Sequence, residues 1–135
     1  MMGNGRTPGQ TDGADPLTIL LVVPDVTLLK LMEMALKLEF ACEILAFTAA
    51  KSALETAKSV RPDLVIIHAH LLDLDALELA DRLHDMKGFE SVPMLLTHLT
   101  FAFWNTALRS YLFILNMPFV LEEFYAAVYK CLNRT

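Results

Sequence analysis

From Leu17 to Leu132 the chain alternates short unbroken apolar runs with longer stretches in which apolar residues recur every three or four positions. A short run of branched residues suits a strand buried on both faces, whereas the three-and-four spacing suits a helix with one apolar side. On this pattern Leu17 to Val23, Glu43 to Phe47, Leu64 to His68, Pro93 to Thr97 and Leu112 to Asn116 are predicted strands. Asp25 to Lys37, Ala49 to Ser59, Asp75 to Met86, Phe101 to Arg109 and Leu121 to Leu132 are predicted helices. The first helix places Leu28, Leu29, Met32, Ala35 and Leu36 on a core side, with Lys30, Glu33 and Lys37 between them. Five strand and helix pairs of this kind predict a parallel sheet covered on both faces, a three-layer α/β sandwich, because right-handed crossovers lay helices on each side. Ligands of such sheets sit beyond the carboxyl ends of the strands, where the strand order reverses.

Glycine and proline mark where the domain begins. Gly3, Gly5, Gly9, Gly13, Pro8 and Pro16 crowd the first sixteen residues, so 1–16 is predicted to be a disordered tail and 17–135 one domain. A chain of 135 residues, 55% of them apolar, is long enough for one core and too short for two. The formal net charge of −5 and the lack of a basic cluster argue against direct nucleic-acid binding. Cys42 and Cys131 lack the close spacing of a zinc ribbon, and two cysteines do not make a disulfide scaffold, so a reducing cytoplasm is the expected setting. Neither a leader peptide nor a membrane-spanning run is visible.

The predicted strand ends carry Val23, Pro24 and Asp25, then Thr48, then His68, Ala69 and His70, then Thr97 and His98, and finally Asn116, Met117 and Pro118. Arg61 to Met86 and Asn116 to Leu132 together resemble the receiver domains of two-component response regulators. The first segment is similar to that family's third strand, phosphorylation loop and third helix, and the second to its Pro-Phe turn and last helix. The resemblance implies a flavodoxin-like (βα)5 doubly wound sheet with strand order 2-1-3-4-5. It also implies a magnesium site that serves phosphorylation of an aspartate: an acidic pair after the first strand, an Asp ending the third, a hydroxyl after the fourth and a Lys after the fifth.

At each of those positions this chain departs. His68 stands at the nucleophile position, and Val23 and Pro24 stand where the acidic pair belongs, with Asp25 one residue beyond. His98 takes the hydroxyl position, with Thr97 one residue before it, and Met117 replaces the lysine before Pro118. A thioether neither neutralises nor hydrogen-bonds a phosphoryl oxygen as an ammonium does. The family's aromatic switch residue maps to Ile114, with Phe113 beside it on the opposite face. Losing a metal ligand, a nucleophile and a charge stabiliser each removes orders of magnitude in rate, so a pseudo-receiver with no catalytic residue and no cofactor is expected.

Three of the four histidines, His68, His70 and His98, share this edge and are candidate metal ligands, with Asp25 as a further donor. Asp73 and Asp75 are candidate displaced acceptors, although Asp75 is placed to cap the helix that follows. Glu122 and Glu123 read as first-turn charges of the last helix. Between Glu90 and Glu122 the 31 intervening residues hold one charge, Arg109, and carry Phe101, Phe103, Trp104, Tyr111, Phe113 and Phe119. Phe119 is expected in the core. The other five predict an exposed surface for a protein partner or a homodimer, formed by the fourth helix, fifth strand and last helix. The expected function is thus a stand-alone, non-enzymatic receiver that acts through protein contacts. A metal or small-ligand sensor using the His68, His70 and His98 pocket, and a phosphorelay receiver with a displaced aspartate, are the alternatives.

Overall fold

Strands whose side chains are apolar on both faces have to be covered twice, and helices on both sides of the sheet do so here. In the computed structural model, which describes residues 16–69, 71, 73–97 and 109–133, the order is β1 (Leu17–Val22), α1 (Val26–Glu39), β2 (Cys42–Phe47), α2 (Ala50–Ala57), β3 (Leu64–His68), α3 (Ala76–His84), β4 (Met94–Thr97), β5 (Leu112–Leu115) and α4 (Leu121–Leu132). All strands pair in parallel in the order β2-β1-β3-β4-β5, as expected. The predicted tail and the helix predicted at Phe101 to Arg109 fall outside the described residues, except for Pro16 and Arg109 at their ends.

The pleat divides the core in two. Leu20, Val22, Val65, Ile67, Met94 and Leu96 face the layer that contains α2 and α3. Ile19, Leu21, Leu64, Ile66 and Leu95 face α1 and α4, where Phe40, Phe124, Val128 and Cys131 are buried. Ile114 and Phe113 go to opposite layers, as strand alternation requires.

The helix boundaries are set by caps. Asp25 accepts from the Thr27 and Leu28 amides, so it precedes α1 instead of opening it. Asp75 does the same for α3 through Leu77 and Glu78. At α4, where Val120 has no side-chain acceptor to offer, Glu123 reaches back to the Val120 amide at 2.9 Å. The topology turns back between β1 and β3, which lie side by side with β2 beyond one and β4 beyond the other. The crevice of interest therefore opens at the ends of β1 and β3.

Candidate functional site

The centre of that rim is a buried histidine and threonine pair. In the β3–β4 register His68 stands directly opposite Thr97. Both follow by two residues the side chains of Ile66 and Leu95, so both point into the α1 and α4 layer. Thr97 is fully buried and His68 is 8% exposed. His68 Nδ1 and Thr97 Oγ1 share a hydrogen bond of 2.9 Å, which offsets the cost of burying two polar groups in an apolar layer. The Ala69 amide donates to the Thr97 carbonyl at 2.9 Å and extends the ladder one residue beyond the strand. Of the two residues that sequence spacing offered for the hydroxyl, the described one, Thr97, lies against His68; His98 lies outside the described residues.

Among the described residues, the end of β1 beside this pair is apolar. Val23 is fully buried, and its amide donates to the Phe47 carbonyl at 2.9 Å. Pro24 is half-buried and offers no donor, and the Asp25 carboxylate is exposed and held by the two amides at the start of α1. Met117, half-buried, precedes Pro118 across a cis peptide bond. Hard Mg²⁺ needs several oxygen ligands with carboxylates among them. Valine and proline side chains supply none, and the one carboxylate is engaged elsewhere, so this donor set does not fit the ion. Among the described residues there is no group of three or more His, Cys, Asp and Glu able to hold a metal.

The two aspartates beyond β3 both serve helix ends. Asp75 caps α3 as predicted. Asp73 accepts from the Ala50 and Lys51 amides, each at 3.0 Å, and so caps α2, whose own N-cap residue Ala49 makes no side-chain bond. These amide bonds hold the Asp73 carboxyl below the usual carboxylate range. Asp73→Ala is expected to cost about 1 kcal/mol of stability. Because the folded value is the lower one, the carboxylate's contribution is complete above pH about 4 and fades as pH falls further. Urea unfolding of the wild type and the variant at neutral and acid pH checks both statements, and the gap between them should narrow in acid.

Of the predicted partner surface, Phe101, Phe103 and Trp104 lie outside the described residues, as does His70. Tyr111 corrects the expectation. It is 7% exposed and belongs to the α3-side core, with its hydroxyl donating to Asp81 Oδ1 and its ring stacked on His84 at 3.9 Å. The reason is that Tyr111 immediately precedes β5 and turns toward α3, where an acceptor waits. Phe113 is half-buried against the α1 and α4 layer.

Sequence reading missed two features. Arg109 clamps Asp81 through two bonds of 2.7 and 2.9 Å, and the only hint was its being the lone charge in a long neutral stretch. Leu31, Met34 and Leu38 stand exposed on α1, although their spacing of three and four was in plain view.

No protein-family model matches the chain, and no curated protein does. Solved structures do. The response regulator receiver domain protein (CheY-like) of Methanospirillum hungatei JF-1 is similar at a TM-score of 0.78 and 16% identity over 87% of this chain and 94% of that one. The signal receiver domain of an HD domain-containing protein of Pseudomonas fluorescens Pf-5 gives 0.76 and 24% over 87% and 95%. The receiver domain of a sensor histidine kinase of Pseudomonas aeruginosa PAO1, solved with magnesium coordinated in its active site cleft, gives 0.74 and 18% over 88% and 98%. With its strand order and its two covering layers, the chain has the flavodoxin-like fold of the response regulator receiver domains.

Proposed function

We propose that the chain is a receiver module of two-component signalling that is not phosphorylated on aspartate and works by binding another protein. The observation that carries this reading is the buried His68–Thr97 pair at the carboxyl rim, flanked by Val23 and Pro24 where a phosphorylated receiver needs carboxylates. Among the described residues, a phosphoryl group placed there would meet neither a cation nor an acceptor carboxylate, and its charge would enter an apolar layer. The P. aeruginosa neighbour's cleft holds magnesium; among the described residues of this chain, no group of three or more His, Cys, Asp and Glu could hold such an ion. Asp73 and Asp75, the alternative acceptors, are already bonded by helix amides, which draws their lone pairs away from a phosphodonor.

The fold supports the module without that chemistry, because its stability comes from apolar burial on both faces of the sheet. Among the described residues no helix is long and apolar enough to cross a membrane. The reading assigns no catalytic residue and a regulation by partner contact.

Incubation with acetyl phosphate and Mg²⁺, followed by intact mass, is expected to leave the chain unmodified. A gain of one phosphoryl group that disappears in Asp73→Asn or Asp75→Asn overturns the proposal and establishes a displaced acceptor. A rise in melting temperature with Zn²⁺ that is lost in His68→Ala overturns it in favour of a metal sensor.

A further inference from the structure

Strand β2 ends the sheet on one side, and among the described residues nothing pairs with its outer edge. The Leu17 amide donates to the Ala41 carbonyl and the Val23 amide to the Phe47 carbonyl. With the β1–β2 register running unbroken between those bonds, the alternation of a parallel ladder turns the backbone groups of Ala41, Glu43, Leu45 and Phe47 toward β1. Those of Cys42, Ile44 and Ala46 therefore point away from the sheet. Such a row of amides and carbonyls is a template for another strand.

Sheet edges are commonly blunted by lysine, proline, a bulge or brevity. None of these protects β2, whose six residues, CEILAF, carry one charge, Glu43, and pair with β1 without a break. Cys42, Ile44, Leu45, Ala46 and Phe47 are each only partly buried, whereas Ile19 to Val22 on the neighbouring strand are fully buried. Ile44 and Ala46 lean toward the α1 and α4 layer, and Leu45 and Phe47 toward the α2 and α3 layer. Both sides of the edge thus keep apolar surface that a further strand would cover. At the start of the strand a cavity of about 560 Å³ opens beside Lys37, Cys42, Glu43 and Ile44.

The strand complements itself. Two-fold symmetry requires antiparallel pairing, and residues that face outward must meet residues that face outward. A centre at Ile44 sets Ile44 against Ile44 and Cys42 against Ala46 of the second copy, each pair exchanging two backbone bonds. Every outward residue of the strand is then used. Charge selects the same register: Glu43 meets Leu45 of the second copy, whereas a centre at Glu43 would bring two carboxylates face to face and leave Ala46 beyond the partner strand. The Ala46 end of the second copy covers the cavity beside Cys42. A foreign strand selected by charge needs a charged edge, and this one is apolar apart from Glu43.

We infer that two copies of the chain associate through their β2 edges, antiparallel about Ile44, and join two five-stranded sheets into one. A strand about 20 Å long buries less than a standard interface, so the association is reversible. The contact uses the sheet edge and not the carboxyl rim, so it holds whichever way the phosphorylation test falls.

The test uses the whole chain. Sedimentation over a wide range of concentration is expected to show a monomer and dimer in equilibrium, with hydrogen exchange at the Ile44 and Ala46 amides slowing as the dimer forms. Ile44→Pro removes an outward amide and leaves the ladder to β1 in place, so it should weaken association at least tenfold with circular dichroism unchanged. Ala46→Cys gives a second reading that does not depend on tolerating proline. In the stated register its thiol lies on the same face as Cys42 of the second copy, with Cα atoms about 5.5 Å apart, within the span of a disulfide. Oxidised glutathione should therefore yield a covalent dimer of Ala46→Cys and none of the wild type, and adding Cys42→Ser should abolish it. A dimer that a folded Ile44→Pro leaves intact, or a crosslink that survives Cys42→Ser, overturns the inference. So does a monomer at every concentration: protected Ile44 and Ala46 amides in that monomer would assign the edge to the chain's own residues 1–15, and unprotected ones would leave it to a strand of another protein.

Discussion

Replacing Phe124 by Ala is expected to lower the unfolding free energy by about 3–5 kcal/mol, read as a fall in the urea midpoint with little change in slope. The ring is 1% exposed, stacks on Phe119 at 5.6 Å with planes 18° apart, and meets Tyr125 at 6.2 Å. It belongs to the layer that joins α4 to α1 and the sheet, so its removal leaves a hole that backbone-tethered neighbours cannot fill. For a domain stable by about 5–15 kcal/mol this is a third or more of the total in most of that range. Leu121, one turn earlier and 50% exposed, is the control: Leu121→Ala should change stability by no more than about 0.5 kcal/mol. If Phe124→Ala behaved like Leu121→Ala, the placement of α4 against the sheet would be wrong.

The second large effect falls on Asp81. Its carboxylate receives two bonds from Arg109 and one from the Tyr111 hydroxyl, so Asp81→Ala leaves a buried phenol without its acceptor and a guanidinium without its carboxylate. The expected loss is about 2 kcal/mol, below that of a fully buried pair because the Asp81 side chain is 43% exposed. The pH dependence has two arms. The hydrogen bond from Arg109 is the main reason that the Asp81 carboxyl is held below its usual range. A depressed folded value means stability present at neutral pH and lost as pH falls below about 4. Tyr111 is displaced the other way, first by burial and then by the bond to Asp81, well above its usual value of 10.0. Its contribution is therefore complete below pH about 10 and declines above it, as the unfolded chain ionises first. Melting temperatures across the pH range should fall at both ends in the wild type, and Asp81→Ala should remove the acid arm of this pair and flatten the alkaline one. An acid arm of full size in Asp81→Ala would assign it to other carboxylates.

Much of the arrangement could be read along the chain, for local reasons. The cap at Asp75 announces itself because its carboxylate serves amides two and three residues away; Asp25 does the same for α1, although the apolar spacing makes it the first residue of that helix. His68 could be placed at a strand end because the apolar run before it leaves little freedom of register. Asp73 was harder to place. It caps a helix that begins 23 residues earlier in the chain, and no local pattern joins it to Ala50. Tyr111 was misread for a similar reason: an aromatic residue in a neutral stretch looks exposed until α3 brings Asp81 beneath its hydroxyl. Thr97 and His98 were separable only through the pairing of β3 with β4.

What the linear order of residues determined here is whatever depends on neighbours within a turn or a strand: the alternation of elements, the two apolar faces of the sheet, the Asp75 cap of α3, and the placing of Val23, Pro24, His68 and Met117 at or just beyond strand ends. Only the tertiary structure decided which distant groups meet. It bonded His68 to Thr97, lent Asp73 to α2, drew Tyr111 inward, and left Leu31, Met34 and Leu38 outside. The physical reason is that periodicity distinguishes the sides of an element, while burial depends on what packs against each side, and on α1 two apolar sides compete for one sheet.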